Sequence, residues 1–137
     1  MTMECSLIYV SRMTIDPARR DEEIASILAW SHAYNPRVGI TGGLVRAKGW
    51  FAQLLEGPNG AVETLMKSIE RDPRHSDVTI LRVLPHDKRR LGKWSMAYAG
   101  EWQYAAQHIA DVFGQGLAVD EQKIDRLNRM IVDFASA

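Results

Sequence analysis

One cysteine, Cys5, stands in a chain of 137 residues, so no internal disulfide can form. Because Cys5 opens an apolar run, it reads as a small buried residue rather than a nucleophile. No apolar run approaches the roughly 20 residues that a membrane-crossing helix needs. The stretch from Met1 to Ser6 also lacks the basic start and long apolar segment of a secretion signal. A cytoplasmic protein without membrane contact is expected. Charge of one sign is missing too: 17 basic and 17 acidic residues cancel, which gives no electrostatic reason to expect nucleic acid. Metal and hydrolytic chemistry find no motif, since the four histidines are scattered and there is no HExxH, cysteine pair, GxSxG or phosphate-cradling glycine loop. His32, His86 and His108 are accordingly read as surface or structural residues.

Hydrophobic residues make up 46% of the chain and charged residues 25%, an ordinary balance for one domain with a real core. Cys5 to Val10 reads as a strand, ended by the polar stretch around Asp16 and Pro17. Ile24, Ile27, Leu28 and Ser31 recur at helical spacing between Asp21 and Ala33, and Asn35-Pro36 is expected to stop that helix. Gly39 to Ala47 and Trp50 to Glu56 form a hairpin closed at Lys48-Gly49. Val62, Leu65, Met66 and Ile69 mark a second amphipathic helix that ends at Asp72-Pro73. Val78 to Leu84 and Trp94 to Ala99 supply two more strands, and Glu101 to Ala137 carries helical patterns before Gly114 and around Ile124, Leu127, Ile131 and Phe134. The fold class is therefore α+β, a ferredoxin-like βαββαβ sandwich with an additional fifth strand. Both helices cover one face of an antiparallel sheet, and the helical tail is the natural cover for the other.

Five segments occur in order: LIYVS (Leu7 to Ser11), YNPRVGITG (Tyr34 to Gly42), FAQLLEG (Phe51 to Gly57), DPRH (Asp72 to His75) and KWSM (Lys93 to Met96). Together they resemble the BLUF family of flavin-based blue-light sensors, over Leu7 to Tyr98. The resemblance implies a sensor domain at 1–100 with FAD held between the two helices; the helical extension at 101–137, read from its own apolar pattern as packed on the sheet, lies outside it. Tyr9, Gln53, Trp94, Met96 and Ser11 fall on the positions it marks as photoactive. Tyr9, Ile24, Leu28, Asn35, Thr41, Gln53, Ile69, Arg71, Arg74 and His75 fall where it places flavin contacts. The pattern departs from the usual one at Tyr34, where a second asparagine is common, and at Gly43 and Val45, where larger apolar residues are common.

Strand alternation sets Leu7, Tyr9 and Ser11 on one face, with Phe51, Gln53 and Leu55 as a comparable set. Excited oxidised flavin is a strong oxidant, and Tyr9 is the expected electron donor. An oxidised phenol is very acidic, so proton-coupled transfer needs a ready acceptor, which Gln53 supplies. A primary amide both accepts and donates, so its rearrangement rewires hydrogen bonds without moving charge far. A red-shifted signalling state is what the resemblance implies. Taken alone, Asn35 is a helix terminator and Trp94 with Met96 is core packing; Arg71, Arg74 and His75 either pair with flavin phosphates or form a solvated helix end.

The expected function is a blue-light photoreceptor and not an enzyme. Its signal passes in trans to a separate output protein, such as a cyclic-dinucleotide phosphodiesterase or a transcriptional regulator, and the receptor itself is expected to be a homo-oligomer. The alternative is a ligand-binding or interaction module on the same sandwich without light sensing; a flavin-dependent enzyme would need a substrate pocket for which no residues stand out.

Overall fold

Alternation along strand β1 (Glu4–Met13) divides the molecule into two cores. Leu7 and Tyr9 enter one hydrophobic cluster with Leu44, Phe51 and Leu55, while Ile8 and Val10 enter another with Val45, Ala52 and Leu54. The computed structural model of the chain describes residues 3–47, 49–86, 88–92, 96–101, 109 and 120–136. In it β1 is followed by a 3-10 turn (Pro17–Arg19), α1 (Arg20–Val38), β2 (Thr41–Ala47), β3 (Trp50–Pro58), α2 (Asn59–Arg71), β4 (His75–His86), β5 (Ala97–Glu101) and α3 (Glu121–Ser136). The single sheet has the order β4-β1-β3-β2-β5. This is the ferredoxin-like arrangement with a fifth strand, and it differs from the expected all-antiparallel sheet because β5 runs parallel to β2.

Helix α1 continues through Asn35-Pro36 instead of stopping there. Proline removes one backbone donor and crowds the preceding turn, but Pro36 is followed by only two more helical residues, so a single rung of the ladder is affected. The actual stop is Gly39, whose φ of 76° is the left-handed conformation that closes helices, with its N–H returned to the Asn35 carbonyl. Asn35 is thus helical, and fully buried. Helix α2 buries Val62, Leu65 and Met66, with Ile69 packed beside them, as its 3.6-residue period requires. β4 extends beyond the expected Val78 to Leu84, and β5 begins at Ala97, so Met96 precedes the strand. Trp94 and the helical pattern before Gly114 lie outside the described residues, Ile109 excepted.

The second sheet face is covered by α3, whose Ile124, Leu127, Ile131 and Ala135 pack on the cluster of Ile8, Val10, Val45 and Leu54. Gly43 explains itself here: a Cβ at that position would lie 2.8 Å from Ile131 Cγ2. Where larger apolar residues are common, this chain has removed the side chain so that α3 can sit on β2. The loop before Met96 is held by Glu56, which is buried on the same face. Its carboxylate accepts the backbone N–H groups of Arg90 (2.7 Å) and Leu91 (2.8 Å) and the hydroxyl of Thr41 (3.2 Å). Arg89 ties the neighbouring corner, donating to both Glu4 carboxylate oxygens at 2.9 and 2.7 Å and to the Gly39 carbonyl. These charge-assisted bonds tie residues 89–91 to the sheet.

Replacing Gly43 with leucine is expected to destabilise the protein by about 1–3 kcal/mol through overpacking. Urea denaturation of Gly43→Leu, Ile131→Ala and the double variant measures it: the double variant should lose less than the sum of the two single losses. Simple additivity would show that the two positions do not compete for space.

Candidate functional site

On the face away from α3, the sheet and the two long helices enclose a cavity of about 630 Å³, within the roughly 300–1,000 Å³ common for small-molecule sites. Its floor is the middle of the sheet. Tyr9 on β1 is the direct cross-strand partner of Gln53 on β3, and Gln53 in turn is paired with Leu44 on β2. Directly opposed residues share a face, so phenol, carboxamide and leucine form one row. The Tyr9 hydroxyl donates to Gln53 Oε1 at 2.5 Å, and Gln53 Nε2 donates to Met96 Sδ at 3.4 Å. A thioether can accept but not donate, so the sulfur favours the amide orientation that turns Oε1 toward the phenol. Gly42 makes room for this contact, since a Cβ there would lie 2.8 Å from Met96 Cε.

The walls come from one stripe of each helix. On α1 the stripe Glu23, Ile27, Ser31, Asn35 rises at i, i+4, i+8 and i+12, and Trp30 lies beside it. Leu65, Ser68 and Ile69 line the α2 side. At the end of α2 and just past it, Arg71, Asp72, Arg74 and His75 close one end. Arg74 makes a bidentate pair with Asp72, its closest N···O distance 2.6 Å, and lies 3.9 Å from Glu23. Burial opposes ionisation of Asp72, but the hydrogen bonds and charge of Arg74 outweigh it and hold the carboxyl below its ordinary range. Burial, reinforced by the negative charge of Asp72, pushes the Tyr9 phenol well above its ordinary range. Tyr9 is therefore a neutral proton donor throughout the physiological range.

Of the residues picked from the sequence, Tyr9, Asn35, Gln53, Ile69, Arg71, Arg74, His75 and Met96 border this cavity. Four others do not. Thr41 sits one residue out of phase with Gly42, on the α3 face, bonded to Glu56. Ile24 and Leu28 are each one residue on from the lining positions Glu23 and Ile27, a rotation of about 100° on a helix; they are buried and half-buried in the core. Ser11 is buried and bonds His75 Nδ1 at 2.8 Å. Since His75 Nε2 is also engaged, by the Ile69 carbonyl at 2.5 Å, both ring nitrogens are occupied and the expected phosphate contact has no atom to make it. Its role is to lock β1 to the end of α2. The cavity also uses residues that the sequence reading passed over, chiefly Trp30, Phe51 and Leu44. Phe51 and Leu44 were reachable from strand alternation once Gln53 was placed; Trp30 carried no signal of its own.

The family model of sensors of blue light using FAD, BLUF, matches residues 5–97. The chain belongs to the BLUF family. The beta subunit of photoactivated adenylate cyclase from Euglena gracilis is 35% identical over 112 residues, 80% of this chain and 13% of that relative. The blue light- and temperature-regulated antirepressor BluF of Escherichia coli (strain K12) is 36% identical over 95 residues, 69% of this chain and 23% of that relative. The chain thus matches only a minor part of both. The dark-state structure of BlrB, a BLUF protein, superposes with a TM-score of 0.79 at 31% identity, covering 100% of this chain and 99% of that one. As a BLUF domain the chain is a blue-light sensor whose chromophore is FAD. The cavity fits that group: aliphatic walls for a flat ring, the Asn35 and Gln53 amides for its polar edge, and arginines for phosphates. Among the described residues no helix is long and apolar enough to cross a membrane.

The raised phenol of Tyr9 has a consequence for alkaline stability. The unfolded chain releases that proton near pH 10 while the folded chain keeps it, so the stabilisation is complete below pH 10 and is lost as pH rises further. The slope contributed is up to about 1.4 kcal/mol per pH unit. Urea denaturation between pH 9 and 11.5 should show a steeper loss for the wild type than for Tyr9→Phe.

Proposed function

We propose that Tyr9 and Gln53 are the photoactive pair of this blue-light sensor, and that Met96 reads out the state of the Gln53 amide. The observation that carries this reading is the 2.5 Å hydrogen bond from the Tyr9 hydroxyl to Gln53 Oε1 in the floor of the cavity. Asn35 and Gln53 would hold the polar edge of the flavin, Ile27, Leu65 and Ile69 its faces, and Arg71 with Arg74 its phosphates. When bound, the flavin supplies the blue absorption and, once excited, a one-electron oxidant for a neighbouring side chain.

Everything else is done by the chain. Tyr9 Oη holds the proton that has to move, because a phenol that has lost an electron becomes strongly acidic. Gln53 Oε1 stands ready to take it, and the amide would become neutral again by giving up a proton from Nε2, for which the reduced flavin would be the acceptor, so that no isolated cation stays in a dry site. The amide can then turn or change tautomer, presenting a donor where it had an acceptor. Turning the amide carries Nε2 away from Sδ and frees Met96, whereas the tautomer leaves Nε2 one hydrogen instead of two and weakens its hold on the sulfur. Return of the electron and the proton to Tyr9 restores the starting pattern. A buried hydrogen bond is worth about 1 kcal/mol net, and an orphaned partner costs roughly 1–3. That biases a balanced element several-fold without unfolding the domain.

For output, we propose a separate partner protein. The relatives include a cyclase subunit and an antirepressor, so a nucleotide-metabolising enzyme and a transcriptional regulator are the two classes to test. The outward face of α3, on the side of the sheet opposite the cavity, is the surface we assign to that contact.

Absorption spectra before and after blue illumination test the photochemical assignment. Tyr9→Phe and Gln53→Leu should purify with flavin and fail to form a long-lived red-shifted state. Wild-type photocycles in both variants would refute the assigned roles.

A further inference from the structure

Trp30 is a large aromatic side chain left 49% exposed on α1, and it borders both solvent and the cavity. One side of its indole is taken by Tyr34, with ring centroids 4.5 Å apart and planes within 16° of parallel. Tyr34 in turn packs against the core beneath α1. The pair is therefore a braced platform: the inner ring is anchored and the outer ring stands at the cavity mouth. Asn35 is fully buried and Ser31 is 5% exposed, each one residue on from Tyr34 and Trp30, so the polar stripe of α1 is sealed while the aromatic pair on the adjacent face stands at the rim.

Charge at the Glu23 side of the cavity, about two helical turns from Trp30, is nearly cancelled among the described residues. The cations bordering the cavity are Arg71 and Arg74, and the acids are Glu23 and Asp72. Arg74 is already held by Asp72 with Glu23 nearby, and His75 has both ring nitrogens engaged. Phosphate recognition thus rests mainly on Arg71, and a second phosphate gains little from charge alone. What distinguishes a flavin dinucleotide from a mononucleotide is then its purine, a flat ring that stacks on exposed aromatics without needing specific hydrogen bonds.

We propose that Trp30, braced by Tyr34, is the adenine platform of this site and sets its preference for FAD over FMN. This deepens the flavin-sensor reading and rests on it. Base stacking on an aromatic side chain raises affinity by roughly 5- to 100-fold, and partial exposure of Trp30 places the expected preference near the lower part of that range, about tenfold.

The test is titration of flavin-stripped protein with FAD and with FMN, followed by flavin fluorescence, in the wild type, Trp30→Ala and Trp30→Phe. Wild type should bind FAD about tenfold more tightly than FMN. Trp30→Ala should bring the ratio to near one by weakening FAD, and Trp30→Phe should keep an intermediate ratio because a smaller ring still stacks. Equal binding of both flavins by the wild type, or an unchanged ratio in Trp30→Ala, overturns the platform while leaving the flavin site intact. Failure of the wild type to bind either flavin overturns the flavin reading and the platform with it.

Discussion

The cross-strand pairing of Tyr9 with Gln53 is the constraint on which the rest of this structure depends. Directly opposed residues of antiparallel strands share a face, so a shift of register by one residue would send the phenol and the amide to opposite sides of the sheet. Both strands are pinned against such a shift because both of their faces are buried. Ile8 and Val10, and Ala52 and Leu54, belong to the cluster under α3, while Leu7 and Tyr9, and Phe51 and Leu55, belong to the cluster under α1 and α2. Two cores thus hold one hydrogen bond in place, and α3 belongs to that restraint although it lies on the far side.

The same logic accounts for the neighbouring glycines of β2. Gly42 and Gly43 face opposite sides, and each has a side chain pressed into the space a Cβ would fill: Met96 on the cavity side and Ile131 on the α3 side. A strand thinned at two successive positions lets both layers approach closely. Met96 and the covering helix therefore meet almost back to back across a single strand.

What could be read from the sequence was what periodicity encodes. A period of two placed Tyr9 and Gln53 on the correct face, and a period of 3.6 found Val62, Leu65 and Met66 on α2 and Ile124, Leu127 and Ile131 on α3. Local chemistry was less reliable where packing overrode it. Asn35-Pro36 has the composition of a helix stop, yet the helix ends at Gly39, because one proline in a final turn costs less than leaving that turn unpacked. The two charged contacts that tie residues 89–91 to the sheet, from Glu56 and from Arg89, join positions more than 30 residues apart in sequence, so no local pattern announces them. For the site, Thr41 and Leu28 lie one residue out of phase with cavity-lining positions, and both ring nitrogens of His75, which lines the cavity, are engaged within the protein.

On the roles proposed for Tyr9, Gln53 and Met96, signal transfer begins where the amide touches something that can move at small cost. Gln53 bonds to Tyr9, which sits in a strand paired on both sides, and to Met96, which precedes a strand of five residues paired with β2. Resistance to local opening follows the number of partners, so the β5 side of the amide is the softer one. Methionine is also the most adaptable apolar side chain, unbranched and free to repack. The Glu56 anchor limits how far such a change spreads backward, since Arg90 and Leu91 stay bonded to the sheet. Displacement is thereby directed forward along β5, which packs together with β2 against α3, so a change of about 1 kcal/mol at one amide reaches the opposite face of the sheet by the least restrained strand.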